Sequence, residues 1–123
     1  MARNEAKLWQ EVKKNIKGIS FTRIENSASF GTPDLLCCNK NNTFFTIELK
    51  VINSDNHKVK FSPHQISFHV RHPINSFIMV KTLDPLAVKL YEGKQILSLV
   101  SRSENLEPVS LGFVDISLCL EKL

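Results

Sequence analysis

Three charged residues lie on apolar segments that a small domain would need for its core. The stretch FGTPDLLCCNKNNTFFTIELKV predicts two buried strands joined by a polar turn, with Asp34 beside the first strand and Glu48 and Lys50 inside the second. Charges on such strands are uncommon without a specific role. Two carboxylates held a few ångströms apart repel each other unless a cation lies between them, and such hard oxygen ligands suit Mg²⁺ or Mn²⁺.

Lys50 adds the third part of a possible hydrolytic site. Because alternate residues of a strand point to the same side, Lys50 projects beside Glu48. A lysine in that position is close enough to orient or deprotonate a water molecule and to offset phosphate charge. The dipeptide Pro-Asp or the pattern Glu-x-Lys is common when it occurs alone, but the joint pattern is far more specific. It predicts metal-dependent hydrolysis of a phosphodiester by Asp34, Glu48 and Lys50.

The segment before the first strand predicts a helix over residues 4–17, with Asn4 as its N-cap and Gly18 as its stop. At about 100° per residue, its apolar residues fall in one stripe, and Glu5 lies near the middle of that stripe. An acid in the first turn is also favoured by the helix dipole, so a purely structural role for Glu5 stays open. The stripe consists of Leu8, Trp9, Val12 and Ile16.

The next segments predict three strands, a helix and a fourth strand. ISFTRI, PDLLCC and FFTIELKV have strand patterns, and SFIMVKTL has the same character further on. Between them, Ser62 and Gln65 match the spacing of a capping box, and Pro63 suits the first turn of a helix that ends near Arg71.

The remaining sequence is less decisive. DPLAVKLYEG predicts a short helix capped by Asp84, and QILSLV predicts an edge strand. The tail from Leu106 to Leu123 fits either a helix or a strand. The whole order predicts an α/β fold, a mixed β-sheet flanked by helices, in a single domain over residues 1–123.

Composition excludes several classes of protein. Hydrophobic residues make up 42% and charged residues 23% of the chain, which is ordinary for a globular protein. No apolar run approaches the roughly 20 residues of a membrane span, and the start of the sequence lacks a secretory signal, so we expect a cytoplasmic protein without membrane contact. The three cysteines form no disulfide framework and are predicted to be buried thiols.

Positive charge is concentrated in one segment. The net charge of +4 permits a polyanionic partner without requiring one. From His57 to His72, however, HKVKFSPHQISFHVRH contains no acid, and a segment of one sign is a better candidate for phosphate contacts than an overall excess. The candidate nucleic-acid contacts are Lys58, Lys60, His64 and Arg71, with His69 as an alternative histidine.

At these residues the sequence resembles the PD-(D/E)XK nuclease superfamily. TPDLL followed by IELK supplies the signature as Pro33, Asp34, Glu48 and Lys50. The compact chain, the acid of the first helix and the SPHQ sequence look most like the virus-type replication-repair nucleases (VRR-NUC) and the archaeal-type Holliday junction resolvases. The resemblance covers roughly residues 5–80, and it implies a restriction-endonuclease-like core. A virus-encoded origin stays open.

The resemblance also implies roles for individual residues. A Mg²⁺ or Mn²⁺ ion would be held by Asp34, Glu48 and the backbone carbonyl of Leu49, with Lys50 assisting the nucleophilic water.

Two further residues match the pattern of these nucleases. Glu5 corresponds to the acid of the first helix, and Gln65 to the glutamine on the helix that follows the Glu-x-Lys strand. The capping box explains Gln65 equally well, so both roles stay open for it.

Three functions are compatible with this sequence. The first is a metal-dependent DNA endonuclease selective for branched DNA or Holliday junctions, because little chain remains for reading base edges. The alternative is a sequence-specific homing or restriction-type endonuclease on the same core. The second alternative is a catalytically silent nucleic-acid-binding module. We expect DNA as the partner, a homodimer because one site cuts one strand, and no small-molecule cofactor.

Overall fold

The computed structural model describes residues 1–24, 31–103 and 105–123, and within these residues six strands form one mixed sheet. The spatial order of the strands follows their order in the chain. Their bounds and those of the helices, in chain order, are α1 Arg3–Asn15, β1 Ser20–Arg23, β2 Leu35–Cys38, β3 Phe44–Ile52, α2 Pro63–Arg71, β4 Ser76–Leu83, β5 Leu86–Glu92, a 3₁₀ turn Gly93–Gln95, α3 Ile96–Ser101, β6 Ser110–Leu111 and α4 Phe113–Glu121.

One crossover organises the sheet. β3 and β4 are parallel, and α2 connects them, as parallel strands require a long connection. The other neighbouring strands are antiparallel. The predicted order of one helix, three strands, a second helix and a fourth strand is confirmed, as is the capping box between Ser62 and Gln65 at the start of α2.

Helices cover both faces of the sheet. On one face, α1 and α4 pack against the alternate residues Phe45, Ile47 and Leu49 of β3, and the predicted apolar stripe of α1 is buried there. On the other face, α3 and part of α2 pack against Ile78 and Val80 of β4. This arrangement confirms the predicted α/β fold class, a mixed sheet flanked by helices.

The turn between β2 and β3 fixes the register of the two strands that carry the charged residues. The side-chain oxygen of Asn39 accepts hydrogen bonds from the backbone N–H groups of Asn41 at 2.9 Å and Thr43 at 3.0 Å. The resulting register pairs Leu35 with Ile47 as the last pair of the hairpin. Asp34 precedes that pair on one strand and Glu48 follows it on the other, so the hairpin places the two acids side by side.

The first helix differs from its prediction at both ends. It begins at Arg3 after Ala2, which makes no side-chain cap, so Asn4 lies in the first turn and is not the N-cap. It ends at Asn15 because Ile16 adopts an extended conformation and buries its side chain in the core, 2% exposed. The predicted stop, Gly18, lies beyond the end of the helix.

Two predictions beyond β4 were wrong. The segment DPLAVKLYEG forms β5, since the alternate residues Val88 and Leu90 are buried against β4 instead of forming a helical stripe. The segment QILSLV forms α3, whose Ile96 and Leu99 are buried against the sheet. The tail from Leu106 to Leu123, whose sequence fits either a helix or a strand, contains the short strand β6 and the helix α4.

The cysteines are less buried than predicted. All three are free thiols, but only Cys37 is buried, while Cys38 and Cys119 are partly exposed. Cys37 and Cys38 are neighbours on one strand and point to opposite faces, so the core encloses only one of them.

The membrane prediction concerns helix length and polarity. Among the described residues, no helix has both the length and the apolar character needed to cross a membrane.

Candidate active site

The candidate site lies where β2 ends and the edge of β3 is left open. β2 pairs with β3 only as far as Ile47, while β4 pairs along the other edge of β3 to its last residue. Beyond Ile47, the N–H groups of Leu49 and Val51 lack a strand partner. Asp34 Oδ2 accepts a hydrogen bond from Leu49 N at 2.8 Å, and Glu5 Oε2 accepts one from Val51 N at 2.9 Å. Two carboxylates therefore take the place of the missing strand.

Two elements bring these acids to the open edge. Asp34 immediately precedes β2, and its carbonyl accepts a hydrogen bond from the N–H of Ile24 at 2.8 Å, which continues the pairing with β1. The chain approaches this point through Gly31, which has a positive φ of +80° and packs so closely that an added Cβ would lie 2.4 Å from the backbone of His64. Glu5 lies in the first turn of α1, the end of the helix that reaches the edge of β3.

Glu48 is the buried member of the cluster. It is 3% exposed, and burial, together with a side-chain hydrogen bond to Asp34 and the negative charge of Asp34, raises its pKa to about 9. The positive charge of Lys50 acts in the opposite direction, and Glu5 adds a smaller increase. Glu48 Oε1 has no hydrogen-bond partner among the described residues. At neutral pH the Glu48 carboxyl group is therefore protonated, beside the carboxyl group of Asp34.

Lys50 is held by the helix that crosses over the sheet. Its Nζ donates a hydrogen bond to Gln65 Oε1 at 3.0 Å and lies 4.9 Å from the centre of the Phe61 ring. The same Gln65 oxygen accepts the backbone N–H of Ser62 at 3.0 Å. The two interpretations of Gln65, capping residue and site residue, are thus compatible in one geometry.

The donor groups fit a hard divalent cation. In a strand, the N–H and C=O of one residue face the same neighbour, so the Leu49 carbonyl lies at the open edge beside Asp34. Asp34 and the buried Glu48, whose Oε1 has no partner among the described residues, together with the Leu49 carbonyl oxygen form a donor set that suits Mg²⁺ or Mn²⁺. No group of three or more His, Cys, Asp or Glu side chains in the described parts of the chain is arranged to hold a metal.

The cluster opens into a cleft of about 580 Å³. All five residues that were predicted to be catalytic line it, namely Glu5, Asp34, Glu48, Lys50 and Gln65, and so do Leu49, Lys58 and Lys60.

The other two candidate nucleic-acid contacts lie outside the lining of this cleft. His64 is exposed in the first turn of α2, and Arg71 is exposed at its end, where its Nε donates to the carbonyl of Ser67 at 3.4 Å. His69 cannot contact phosphate as considered from the sequence, because it is fully buried and its Nδ1 lies 3.3 Å from Ser76 Oγ. Burial lowers the pKa of His69 to about 4, so it is neutral at physiological pH.

The cleft also contains groups that the sequence did not indicate. Asn4, Asn53 and His57 line it, as do the first residues of the chain. Of these, only His57 belongs to the basic segment, and its Nδ1 is 2.9 Å from Ser54 Oγ. Glu25, which the sequence places in the loop before Asp34, lies outside the described residues.

No protein-family model and no curated protein sequence matches this chain. Among solved structures, the chain is similar to that of Hjc, a Holliday junction resolvase from the archaeal hyperthermophile Archaeoglobus fulgidus. The two share 19% sequence identity over 76% of this chain and 77% of the other, with a TM-score of 0.54. This likeness confirms the restriction-endonuclease-like fold predicted from the sequence.

Proposed function

We propose that this protein is a metal-dependent DNA endonuclease of the PD-(D/E)XK superfamily, in its VRR-NUC or resolvase-like branch, with a preference for branched DNA. The observation that carries the proposal is the pair of carboxyl groups of Asp34 and Glu48 at the open edge of β3, with Lys50 beside it. Burying a carboxyl group next to another acid costs stability in the metal-free protein. A divalent cation held by the two carboxylates in place of the Glu48 proton would offset this cost.

The metal ligands in this proposal are Asp34, Glu48 and the carbonyl of Leu49. When bound, Mg²⁺ or Mn²⁺ supplies a positive charge that stabilises phosphate oxygens and lowers the pKa of coordinated water. The role of the chain is to keep both carboxylates fixed. Asp34 is held by the N–H of Leu49, and Glu48 is held by its burial within the sheet.

Lys50 and Glu5 act on the attacking water in this proposal. The hydrogen bond to Gln65 fixes the ammonium group of Lys50 along the cleft, where it orients the water and offsets charge on the phosphate. Glu5 uses one oxygen to accept the N–H of Val51, which leaves its other oxygen as an acceptor for the same water.

The elements after β4 and the basic residues near the cleft support the proposed preference for branched DNA. After β4, the remaining elements extend the sheet and cover its faces, so the described residues contain no additional layer for reading base edges. Lys58 and Lys60 line the cleft, and His64 and Arg71 extend basic character along α2. Recognition of backbone and shape needs no more than this, and the fold is shared with a Holliday junction resolvase.

A homodimer is part of the proposal. One site cuts one strand, and a junction is resolved by two cuts, so two copies related by a two-fold axis supply both. We take residues 1–123 as one catalytic domain that acts on DNA inside the cell and needs no small-molecule cofactor.

A comparison of substrates tests the proposal. Purified protein with Mg²⁺ or Mn²⁺ is incubated with a four-way junction and with linear duplexes built from the same arms, and Asp34→Asn serves as the inactive control. We expect faster cleavage of the junction, near its branch. Cleavage of one linear sequence at a fixed position would instead identify a homing or restriction-type enzyme. Tight binding without cleavage in either metal would identify a silent nucleic-acid-binding module.

A further inference from the structure

A second pocket lies beside the cleft on the same face of the sheet. Its volume is about 330 Å³, and Ile52, His57 and Val59 line both the pocket and the cleft. The segment after β3 therefore forms a wall common to the two. The rest of the pocket is formed by β4, β5 and the end of α3 with the residues that follow it.

The sheet register fixes how far this pocket is from the candidate site. Glu48 of β3 pairs with Ile78 of β4, which pairs with Tyr91 of β5. In the same way, Lys50 pairs with Val80, which pairs with Lys89. Paired residues point to the same face, and neighbouring strands are about 4.8 Å apart, so Tyr91 and Lys89 lie roughly 10 Å from the acid and the lysine of the site. Neighbouring nucleotides of one DNA strand can therefore occupy both places.

The pocket combines an apolar floor with hydrogen-bond donors. Val80, Leu99 and Leu106 supply apolar surface. Tyr91 is 7% exposed and lines the pocket, where its hydroxyl group can donate a hydrogen bond. Aromatic and apolar surface of this kind is what an unstacked base requires.

Two cations lie at the pocket among its described residues. Lys89 Nζ lies 3.0 Å from Asp55 Oδ1, the one acid among the described residues of the lining. Arg102 donates to the carbonyls of Asn56 at 2.8 Å and Asp55 at 3.1 Å, which orients its guanidinium group while further N–H groups stay available. The described residues of the lining contain two such cations and one carboxylate, which favours an anion such as phosphate.

Size decides between a duplex and a single nucleotide. A volume of about 330 Å³ is at the lower end of pockets for small molecules and cannot admit paired DNA. We infer that this pocket binds one unpaired nucleotide of the DNA substrate, with its base on the apolar floor against Tyr91 and its phosphate toward Lys89 and Arg102. The inference rests on the proposed function, and it adds a reason for the branch preference, since taking a base out of the stack costs least where it is unpaired.

The test uses metal-free protein in EDTA, so that cleavage does not interfere. Backbone amide chemical shifts are followed during titration with thymidine 5′-monophosphate and then with a short single-stranded oligothymidylate. We expect shifts at Tyr91, Lys89 and Leu99, with tighter binding of the oligonucleotide, because it also reaches the cleft. Shifts confined to the cleft, or equal affinity for the two ligands, would overturn the inference that the pocket serves a DNA strand.

Substitution of exposed and half-buried residues provides the second measurement. Lys89→Gln with Arg102→Gln should weaken binding of the mononucleotide about tenfold or more, while Lys58→Ala with Lys60→Ala in the cleft should leave it unchanged. The reverse pattern would contradict the inference. A protein that cuts junctions but does not bind the nucleotide here would refute the pocket alone, whereas nucleotide binding without junction cleavage would refute the proposed function.

Discussion

Replacing Glu48 by glutamine should stabilise the metal-free protein at neutral pH. Burial and the neighbouring Asp34 raise the pKa of Glu48 from 4.5 to about 9 in the folded protein. At pH 7 the folded protein therefore carries a protonated Glu48, whereas the unfolded chain carries an ionised one. Glutamine keeps the volume, has no proton to lose, and its amide can donate to Asp34 as the protonated carboxyl group does.

The size of the effect follows from this pKa difference. Because the folded-state pKa is raised, the contribution of Glu48 to stability is fully present below pH 4.5 and is lost as pH rises toward about 9. At about 1.4 kcal/mol per pH unit, the interval from pH 4.5 to pH 7 corresponds to about 3 to 4 kcal/mol. Glu48→Gln should therefore raise the free energy of unfolding by about this amount at pH 7 and by almost nothing near pH 4.

Urea denaturation in EDTA across this pH range measures the difference. Glu121→Gln, which removes an exposed carboxylate on α4, is the matched control and should show no such trend. Adding Mg²⁺ should reduce the advantage of the variant, because the ion stabilises only the protein that binds it. A difference that does not change with pH, or a variant that is less stable at pH 7, would refute the assignment of Glu48 as a buried, protonated acid.

Three further tests by substitution separate chemistry from structure and from affinity. Glu5→Gln keeps the oxygen that accepts a β3 N–H, so the free energy of unfolding should change by less than about 0.5 kcal/mol, while cleavage should fall strongly. Reduced stability with an unchanged cleavage rate would leave Glu5 only a structural role. Ser62→Ala should cost about 1 kcal/mol of stability and retain most cleavage, whereas Gln65→Ala should lose both stability and cleavage. Equal cleavage rates in the two variants would remove Gln65 from the site. Lys58→Ala with Lys60→Ala should weaken DNA binding and reduce its salt slope by about 0.9 for each phosphate that the lysines no longer neutralise, and an unchanged slope would place the DNA elsewhere.

The first four strands and α2 were predictable because several local signals agree there. The alternation in FFTIELKV gives the strand and its two faces, and the capping box fixes the start of α2 at Pro63. The same alternation places Glu48 and Lys50 on one face, and the hairpin turn brings Asp34 beside them. These parts of the fold depend on neighbours in sequence.

The region after β4 was not predictable in the same way. Asp84 followed by Pro85 is typical of the start of a helix, and this signal favours a helix. The alternation of Val88 and Leu90 favours a strand instead, and pairing with β4 stabilises that strand. Six-residue apolar segments such as QILSLV fit a strand or a buried helix equally well, and only packing against the sheet distinguishes them.

The details of the site depend on contacts between distant segments. The pairing of β2 with β3 ends at Ile47, and Glu5 and Asp34 accept the N–H groups left open on β3. Both features require the whole sheet and α1 in place. The second pocket could not be anticipated either, because Tyr91 and Lys89 were assigned to a helix in the sequence interpretation and Arg102 follows a helix that was assigned to a strand.

The assignment of Asp34, Glu48 and Lys50 to the active site is tested by single-turnover cleavage of a four-way junction. The wild-type protein is compared with Asp34→Asn, Glu48→Gln and Lys50→Met. Binding of the same junction is measured in Ca²⁺ or EDTA, so that loss of chemistry is separated from loss of affinity. We expect Mg²⁺- or Mn²⁺-dependent cleavage by the wild-type protein, and cleavage at least about 100-fold slower in each variant with binding retained. A variant that cleaves the junction at the wild-type rate, or cleavage by the wild-type protein in EDTA, would contradict the proposed metal-dependent site.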